Sequence, residues 1–289
     1  SLGSSEQDYE FKTNFLDQDF TVKRIGTNGN KTEAWEQLQR LQSKCDAMGV
    51  GMVSDDLHVG EYKFGSSETK KLTRVVTRVP VTTGARVRRL LQCSAIRHTQ
   101  KELGHYFNNN KVLFLSGMAN YEMAMLMSEY TPNLKFADSV IQSGLPTFLK
   151  SISALELYAR GRCNLNKVSP IDTEKRHVPS LPKVKKYLIR KAMKNSHVVV
   201  GTCADLRKYG NAESLEDKTI ITSFVTDEDF EFFKEAKVNL AIDVSPNIFD
   251  QVVGVSVLEA MILAASDIPA DELSCADIED IIKELDIKP

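Results

Sequence analysis

Five short apolar segments between residues 111 and 242 constrain the fold more than any other feature of the sequence. Short apolar runs are typical of strands that are buried on both faces, and their alternation with helices produces parallel βαβ units. The sequence therefore predicts an α/β fold with a doubly wound, Rossmann-like parallel sheet. Its central strand is expected to be the first segment, flanked by the second and the third. The segments are Lys111–Ser116, Leu134–Ala137, Val198–Val200, Thr219–Thr222 and Val238–Ile242.

A smaller α/β domain is expected to precede this sheet. Tyr9–Phe15 and Phe20–Ile25 alternate as strands around a polar turn, and Lys31–Lys44 is expected to be a helix with Trp35, Leu38 and Leu41 on its apolar face. The polar break Asn108–Asn110 separates this region from the apolar segments. We therefore expect an N-terminal substrate-side domain over residues 1–108 and a Rossmann-like nucleotide-binding domain over residues 109–289.

Two parts of the second domain fall outside the minimal pattern. Arg160–Leu181 is polar, contains Pro170 and Pro179, and has no periodicity, so it predicts an insertion at about residues 160–182 that is the most mobile internal segment. Ser274–Ile287 predicts a C-terminal helix with an apolar stripe. That stripe is expected to pack on its own domain, with partner binding as the alternative.

Composition excludes several classes of function. The formal charge is −2, which argues against general binding of nucleic acid or membrane surfaces, and no apolar run approaches the length of a membrane span. The five cysteines form no CxxC pair and the five histidines show no ligand spacing, so we expect a reducing, cytoplasmic compartment and no metal. The basic stretch Lys183–Lys194 is expected to be a solvated helix face, with docking of nucleic acid or of an acyl carrier as the alternative. Homo-oligomer formation is left open.

The turn after the first apolar segment resembles a site for a dinucleotide such as NAD or NADP. Gly117 stands at the first glycine position of the dinucleotide fingerprint, but Ala119 replaces the second glycine. Asn120 begins the following helix, whose N-terminus can attract a phosphate. Asp138 follows the second strand and is placed to accept from a ribose hydroxyl. The alternative is that Gly117 is a tight turn and Asp138 caps a strand end.

Further candidate residues follow the third strand and precede a helix of the first domain. Gly201 and Thr202 are expected beside the nicotinamide end of a cofactor, and Cys203 is a nucleophile only if a base or positive field activates it. Thr82, Thr83 and Arg86 begin a helix and can bind the carboxylate of a small-molecule substrate. The alternative for Arg86 is a solvated helix face.

The second domain resembles the quinate/shikimate 5-dehydrogenase-like family and its predicted amino acid dehydrogenase relatives. Val198–Thr202 and Val255–Ile262 carry this resemblance. Most of the chain also resembles a set labelled quinate 5-dehydrogenase, in Ser1–Ser5, Arg24–Thr27, Gly144–Pro146, Thr219–Thr222 with Val225 and Thr226, and Ser256–Ala260. The resemblance implies an NAD(P)-dependent dehydrogenase. The family's asparagine-valine-threonine segment is reduced here to Val81-Thr82, and no lysine follows, so the family's catalytic residues are not carried over and the catalytic residues stay unassigned.

Two functions are therefore open. The first is an NAD(P)-dependent oxidoreductase that acts on a small carboxylate-bearing substrate. The second is a non-redox Rossmann-like protein that binds another nucleotide or small anion, or that acts as an interaction scaffold. Ala119 favours the second function, whereas Asp138 and Gly201-Thr202 favour the first.

Overall fold

The computed structural model describes residues 1–54, 56–168, 182–245, 247–248 and 251–285. In chain order the strands are β1 (Tyr9–Phe15), β2 (Gln18–Arg24), β3 (Met48–Gly49), β4 (Leu57–Val59), β5 (Tyr62–Phe64), β6 (Val81–Thr82), β7 (Val112–Phe114), β8 (Leu134–Phe136), β9 (Val198–Val200), β10 (Thr219–Thr222), β11 (Leu240–Asp243), β12 (Asn247–Ile248) and β13 (Gln251–Val252). The α-helices are α1 (Lys31–Leu41), α2 (Ser67–Thr73), α3 (Ala85–Glu102), α4 (Tyr121–Tyr130), α5 (Asp138–Ser143), α6 (Ile152–Val168), α7 (Pro182–Lys194), α8 (Cys203–Tyr209), α9 (Ala212–Leu215), α10 (Asp227–Glu235), α11 (Val255–Ala265) and α12 (Cys275–Glu284).

The contacts divide the chain into two compact units that are not continuous in sequence. Unit 1 comprises Ser1–Asp56, Gly65–Gln92 and Ser245–Pro289, and unit 2 comprises Leu57–Phe64 and Cys93–Val244. The contacts thus group the chain differently from a linear division at residue 108. Each unit has its own buried clusters.

Unit 2 contains a five-stranded parallel sheet in the order β11-β10-β9-β7-β8. Leu113 of β7 is paired with Val199 on one side and Lys135 on the other. The expected central strand and both of its neighbours are therefore confirmed. Numbered along the chain, the strands of this sheet follow the order 2-1-3-4-5.

Helices cover both faces of this sheet, because the central strands β7 and β9 are apolar and buried at every position. Phe114 and Val200 point to one face, where α4 and α6 supply Met127 and Leu155. Leu113 and Val199 point to the other face, since successive side chains alternate along a strand. There the buried residues of α7, α8 and α10 complete the core, namely Ile189, Ala192, Met193, Leu206, Tyr209 and Phe233.

Unit 1 begins with an antiparallel hairpin in which Tyr9 of β1 is paired with Arg24 of β2. Phe15 of this hairpin packs in a cluster with residues of α11 and α12, including Ile262 and Ile278. The apolar stripe of the C-terminal helix therefore packs on its own unit, as expected. The hairpin was also expected, because its alternation and polar turn are local signals.

Several boundaries and orientations differ from the expectations. Leu38 is buried as expected, but Trp35 is 41% exposed, because Ala34 occupies the buried face of α1 beside Leu38. Strand β11 begins at Leu240 and not at Val238, since Lys237 adopts φ 53° and Val238 N–H donates to Phe233 O at the end of α10. The expected irregular segment is helical up to Val168. The remainder of the expected mobile segment, residues 169–181, lies outside the described residues.

Candidate functional site

The Gly117 turn and Asp138 meet at the carboxyl edge of the sheet in unit 2. Asp138 begins α5 directly after β8 and is fully buried. Its Oδ2 accepts from Gly117 N–H at 2.7 Å and its Oδ1 accepts from Met118 N–H at 3.0 Å. The structure therefore brings together Gly117 and Asp138, which the sequence analysis had placed at one site. However, the carboxylate already takes two N–H donors of the turn that was expected to hold a pyrophosphate.

Glycine at position 117 makes room for the core. A Cβ atom there would lie 2.3 Å from Phe136 Cδ1 and 3.0 Å from Leu155 Cδ2. Ala119 is exposed, and the Asn120 side-chain amide donates to Ser116 O at 2.8 Å. This geometry favours the tight-turn alternative for Gly117. The phosphate and ribose roles of Gly117, Ala119, Asn120 and Asp138 stay predictions.

Burial also determines the protonation of Asp138. Removal from water raises the pKa of this carboxyl group to about 6, although the N–H groups of Met118 and Gly117 and the charge of Arg162 favour the ionised form. A buried carboxyl group that titrates near pH 6 is suited to respond to pH. It is poorly placed to bind a ribose hydroxyl, since its oxygens are enclosed.

In unit 1, Thr82 and Arg86 surround the buried carboxylate of Glu259. Glu259 Oε1 accepts from Thr82 Oγ1 at 2.7 Å and from Arg86 Nε at 2.9 Å. Its Oε2 accepts from the backbone N–H groups of Arg86 and Val87, both at 3.1 Å. The donors that were expected to bind a substrate carboxylate are thus occupied by a carboxylate of the protein itself, and the substrate role of Thr82, Thr83 and Arg86 stays a prediction.

Sequence reasoning missed Glu259 as the partner of Arg86. It is the one charged residue of α11, whose other residues are small or apolar. A lone acid in an apolar helix requires donors, because an unpaired buried charge is strongly destabilising. That rule could have suggested Glu259 as the partner of the α3 N-terminus. Arg86 is held further by Leu273 O, which accepts from Nη1 at 2.7 Å, and no hydrogen bond from Thr83 to this carboxylate is observed among the described residues.

The residues after β9 have structural roles. A Cβ atom at Gly201 would lie 2.7 Å from Leu115 Cδ1, so this glycine is also a packing position. Thr202 caps α8, and its Oγ1 accepts from Asp205 N–H at 3.1 Å. Burial raises the pKa of the Cys203 thiol, which therefore stays protonated and is a poor nucleophile at neutral pH.

Phe224 is the unusual residue of the carboxyl edge, and the sequence did not single it out. It lies two residues beyond β10, is 40% exposed and has φ 57°. A bulky side chain seldom adopts a left-handed backbone, which costs about 1–2 kcal/mol. Asp243 stabilises it, since Oδ1 accepts from Phe224 N–H at 3.2 Å and Oδ2 from Val225 N–H at 3.0 Å.

The strain at Phe224 can be measured with two truncations. We expect Phe224→Gly to be about 1 kcal/mol more stable than Phe224→Ala, because both remove the ring but only glycine tolerates a left-handed backbone at no cost. Chemical denaturation of both variants tests this. Ser223→Gly and Ser223→Ala are the matched control, since Ser223 has no positive φ and should show the usual order with alanine more stable. If the alanine variant is more stable than the glycine variant at both positions, the backbone of Phe224 is not strained.

The carboxyl ends of β9 and β10 are adjacent beside Phe224. Gly201 N–H donates to Ile221 O at 3.1 Å, and Cys203 Sγ lies 3.3 Å from Thr222 Oγ1 and 3.8 Å from Ser223 O. The loop that carries Phe224 is therefore next to the loop that carries Gly201 and Thr202. At this part of the carboxyl edge, the exposed ring of Phe224 therefore lies near the loop with the Thr202 hydroxyl group. Within the described residues no group of three or more potential metal ligands is found.

Comparison with family models assigns the chain to a family. A model described as "Domain of unknown function (DUF8754)" matches residues 86–289. The chain belongs to this family. The DUF8754 region contains Asp138, Phe224 and Glu259, whereas Thr82 lies in residues 1–83, which match "Domain of unknown function (DUF8753)". No curated protein and no solved structure matches the chain. The similarity of DUF8754 to dehydrogenases stays a prediction.

No helix in the described part of the chain is both long and apolar enough to cross a membrane.

Proposed function

We propose that unit 2 is a doubly wound, Rossmann-like domain that binds a nucleoside or nucleotide by its base and sugar, without redox chemistry. Two observations support the fold assignment: the strand order 2-1-3-4-5, and helices on both faces of a parallel sheet. In such sheets, ligands bind at the carboxyl ends of the strands. The separate family match over residues 1–83 supports an N-terminal module.

The observation that carries this function is the strained, exposed ring of Phe224. Backbone strain of this kind persists only where the surrounding structure imposes it, and it concentrates at ligand sites. Here the Asp243 carboxylate fixes the strained loop through two backbone N–H groups. An aromatic side chain held at the sheet edge provides a face on which a flat base can stack.

The surrounding groups favour the base and sugar over the phosphates. Asp205, Asp229 and Asp243 lie on the elements that border the Phe224 loop, and Arg207 is already paired with Asp229 at 2.6 Å. These carboxylates repel phosphate. Both oxygens of Asp229 and both oxygens of Asp243 already accept hydrogen bonds, so Asp205 is the carboxylate of the three that is left to accept from sugar hydroxyls and ring N–H groups. The phosphates of a nucleotide would therefore point to solvent. A dinucleotide at Gly117 is disfavoured, since Asp138 takes the N–H groups of that turn.

A thermal-shift and calorimetric titration with adenosine, guanosine, cytidine, uridine, their monophosphates, NAD and NADP tests the proposal. At about 100 times the dissociation constant, a ligand stabilises the folded protein by about 2.7 kcal/mol. We expect saturable binding of at least one nucleoside. Phe224→Ala should weaken it by about 1–3 kcal/mol, the value of one base–aromatic stack. Trp35→Ala is the matched control, because Trp35 is similarly exposed but lies in unit 1.

The same titration separates the two functions. Binding that requires the nicotinamide dinucleotide and is lost in Asp138→Ala, but not in Phe224→Ala, would support the dehydrogenase hypothesis and overturn ours. If none of these compounds binds, the nucleoside proposal is wrong.

A further inference from the structure

Helix α7 presents a cationic face to solvent. Its thirteen residues include six lysines and arginines and no acid. Lys183, Lys186, Lys191 and Lys194 are exposed and lie on one side of the helix. Tyr187 lies among them and is 63% exposed. An aromatic side chain surrounded by charges is typical of an interface, where aromatic residues are enriched at the centre.

The opposite side of α7 is firmly seated on the sheet. Ile189, Ala192 and Met193 are buried. Lys185 donates from Nζ to Ile141 O at 2.8 Å, and Arg190 donates from Nε to Tyr209 O at 2.9 Å. These contacts hold α7 in one orientation, so the exposed lysines lie on a fixed side of the helix.

Helix α10 presents the complementary face. Its nine residues contain five acids and one lysine. Asp227, Glu228, Glu231 and Glu235 are exposed. Phe230 is 59% exposed at the edge of this acidic face, with Asp227 and Lys234 as neighbours one turn away, and Phe233 next to it is buried. Like α7, the helix therefore carries an exposed aromatic residue beside a charged face, but the charge is opposite.

Both helices lie on the same face of the sheet, with α8 between them. Residues of α7, α8 and α10 share one buried cluster. Arg190 joins α7 to the end of α8, and Arg207 of α8 pairs with Asp229 of α10 at 2.6 Å and with Glu228 at 3.3 Å. The three helices run in the same direction, because α7 leads into β9, α8 with α9 into β10, and α10 into β11 of one parallel sheet.

This arrangement is complementary to itself. A twofold axis parallel to α8 would place α7 of one copy against α10 of the other, and α10 of the first against α7 of the second. We propose that the chain forms an isologous dimer through these two helices, with Tyr187 and Phe230 as the apolar centres of each contact. A polyanion such as nucleic acid is disfavoured as the occupant, because the formal charge of the chain is −2 and the acidic helix lies on the same face.

Charge reversal on each helix tests this proposal. We expect the wild-type protein to sediment as a dimer in the micromolar range at low salt and to dissociate as salt is added, since salt screens exposed charges. The double variant Lys186→Glu with Lys191→Glu should associate about 100-fold more weakly, because it creates repulsion in both symmetric contacts. Glu231→Lys with Glu235→Lys should do the same.

The decisive measurement is an equimolar mixture of the two double variants. In the mixed dimer each reversed helix faces a helix that it attracts, and the other contact keeps the native charges. We therefore expect the mixture to form a dimer although neither variant does so alone. Circular dichroism shows that each variant is folded. Lys12→Glu with Lys44→Glu is the matched control, since it makes the same charge change on exposed residues of unit 1 and should leave the dimer intact.

A monomeric wild-type protein at low salt would overturn the proposal. So would reversed variants that still dimerise, or a mixture that remains monomeric.

Discussion

Replacing Glu259 with alanine is expected to lower the free energy of unfolding by about 3–5 kcal/mol, the cost of breaking a buried ion pair on one side. Arg86 and the Thr82 hydroxyl would lose their acceptor, and the N–H groups of Arg86 and Val87 would lose theirs at the start of α3. Each buried donor left unsatisfied adds about 1–3 kcal/mol before the structure relaxes. Denaturant unfolding monitored by circular dichroism measures this loss.

Two control variants test whether the loss of stability in Glu259→Ala comes from the buried carboxylate. Glu279→Ala removes a carboxylate of the exposed i,i+4 pair with Lys283, and we expect a change of only about 0.5 kcal/mol. Glu259→Gln keeps the shape of the side chain and one acceptor oxygen, so its loss of unfolding free energy should lie between those of Glu259→Ala and Glu279→Ala. If Glu259→Ala costs no more than Glu279→Ala, the carboxylate does not hold α3 and α11 together.

The second large effect concerns Asp138 and pH. Its pKa is about 6 in the folded protein, against 3.8 for the free side chain. Between these values the folded protein binds a proton that the unfolded chain has released, so the stability contributed by Asp138 is complete below pH 3.8 and is lost as pH rises through about 6. We expect this group alone to lower the free energy of unfolding by about 2–3 kcal/mol between pH 4 and pH 7, since each pKa unit corresponds to about 1.4 kcal/mol.

Asp138→Asn separates this contribution from the rest of the protein. The amide does not titrate, so the difference in unfolding free energy between wild type and variant should change across that pH range. The variant also has an absolute cost of about 1–3 kcal/mol, because its NH₂ group faces one of the N–H groups of Gly117 and Met118. A difference that is constant with pH would show that the carboxyl group does not titrate near pH 6. Nucleoside binding at Phe224 should be unaffected.

Local patterns predicted much of the fold. The runs Val198–Val200 and Thr219–Thr222 coincide with β9 and β10, and the hairpin and the central strand were also expected. The capping box of α10 is equally local, because Thr226 and Asp229 are only three residues apart. Such features depend on neighbouring residues, whose spacing along the chain is sufficient evidence of their contact.

The candidate site was predicted less well, because its contacts join distant parts of the chain. Glu259 lies 173 residues from Arg86, so periodicity gives no sign of the pair. The sequence identified the donors of both sites and placed Asp138 near the first, but it showed neither that Asp138 occupies those donors nor that Glu259 occupies the second set. The positive φ of Phe224 depends on Asp243, which is contributed by the next strand. Trp35 was misplaced because Ala34, a small residue, occupies the buried position.

The internal carboxylates have a consequence for competition. Asp138 and Glu259 are tethered by the chain next to the donors that they occupy, so each acts at an effective concentration that tethering alone raises to about the millimolar range or higher. A dissolved phosphate or carboxylate must displace this tethered competitor before it meets a single N–H group. Metabolite anions at ordinary cellular levels would therefore compete with a built-in carboxylate at the Gly117 turn and at the N-terminus of α3. The chain thus discriminates against abundant anions because its own carboxylates are tethered beside the donors, and this discrimination does not depend on the shape of a binding pocket.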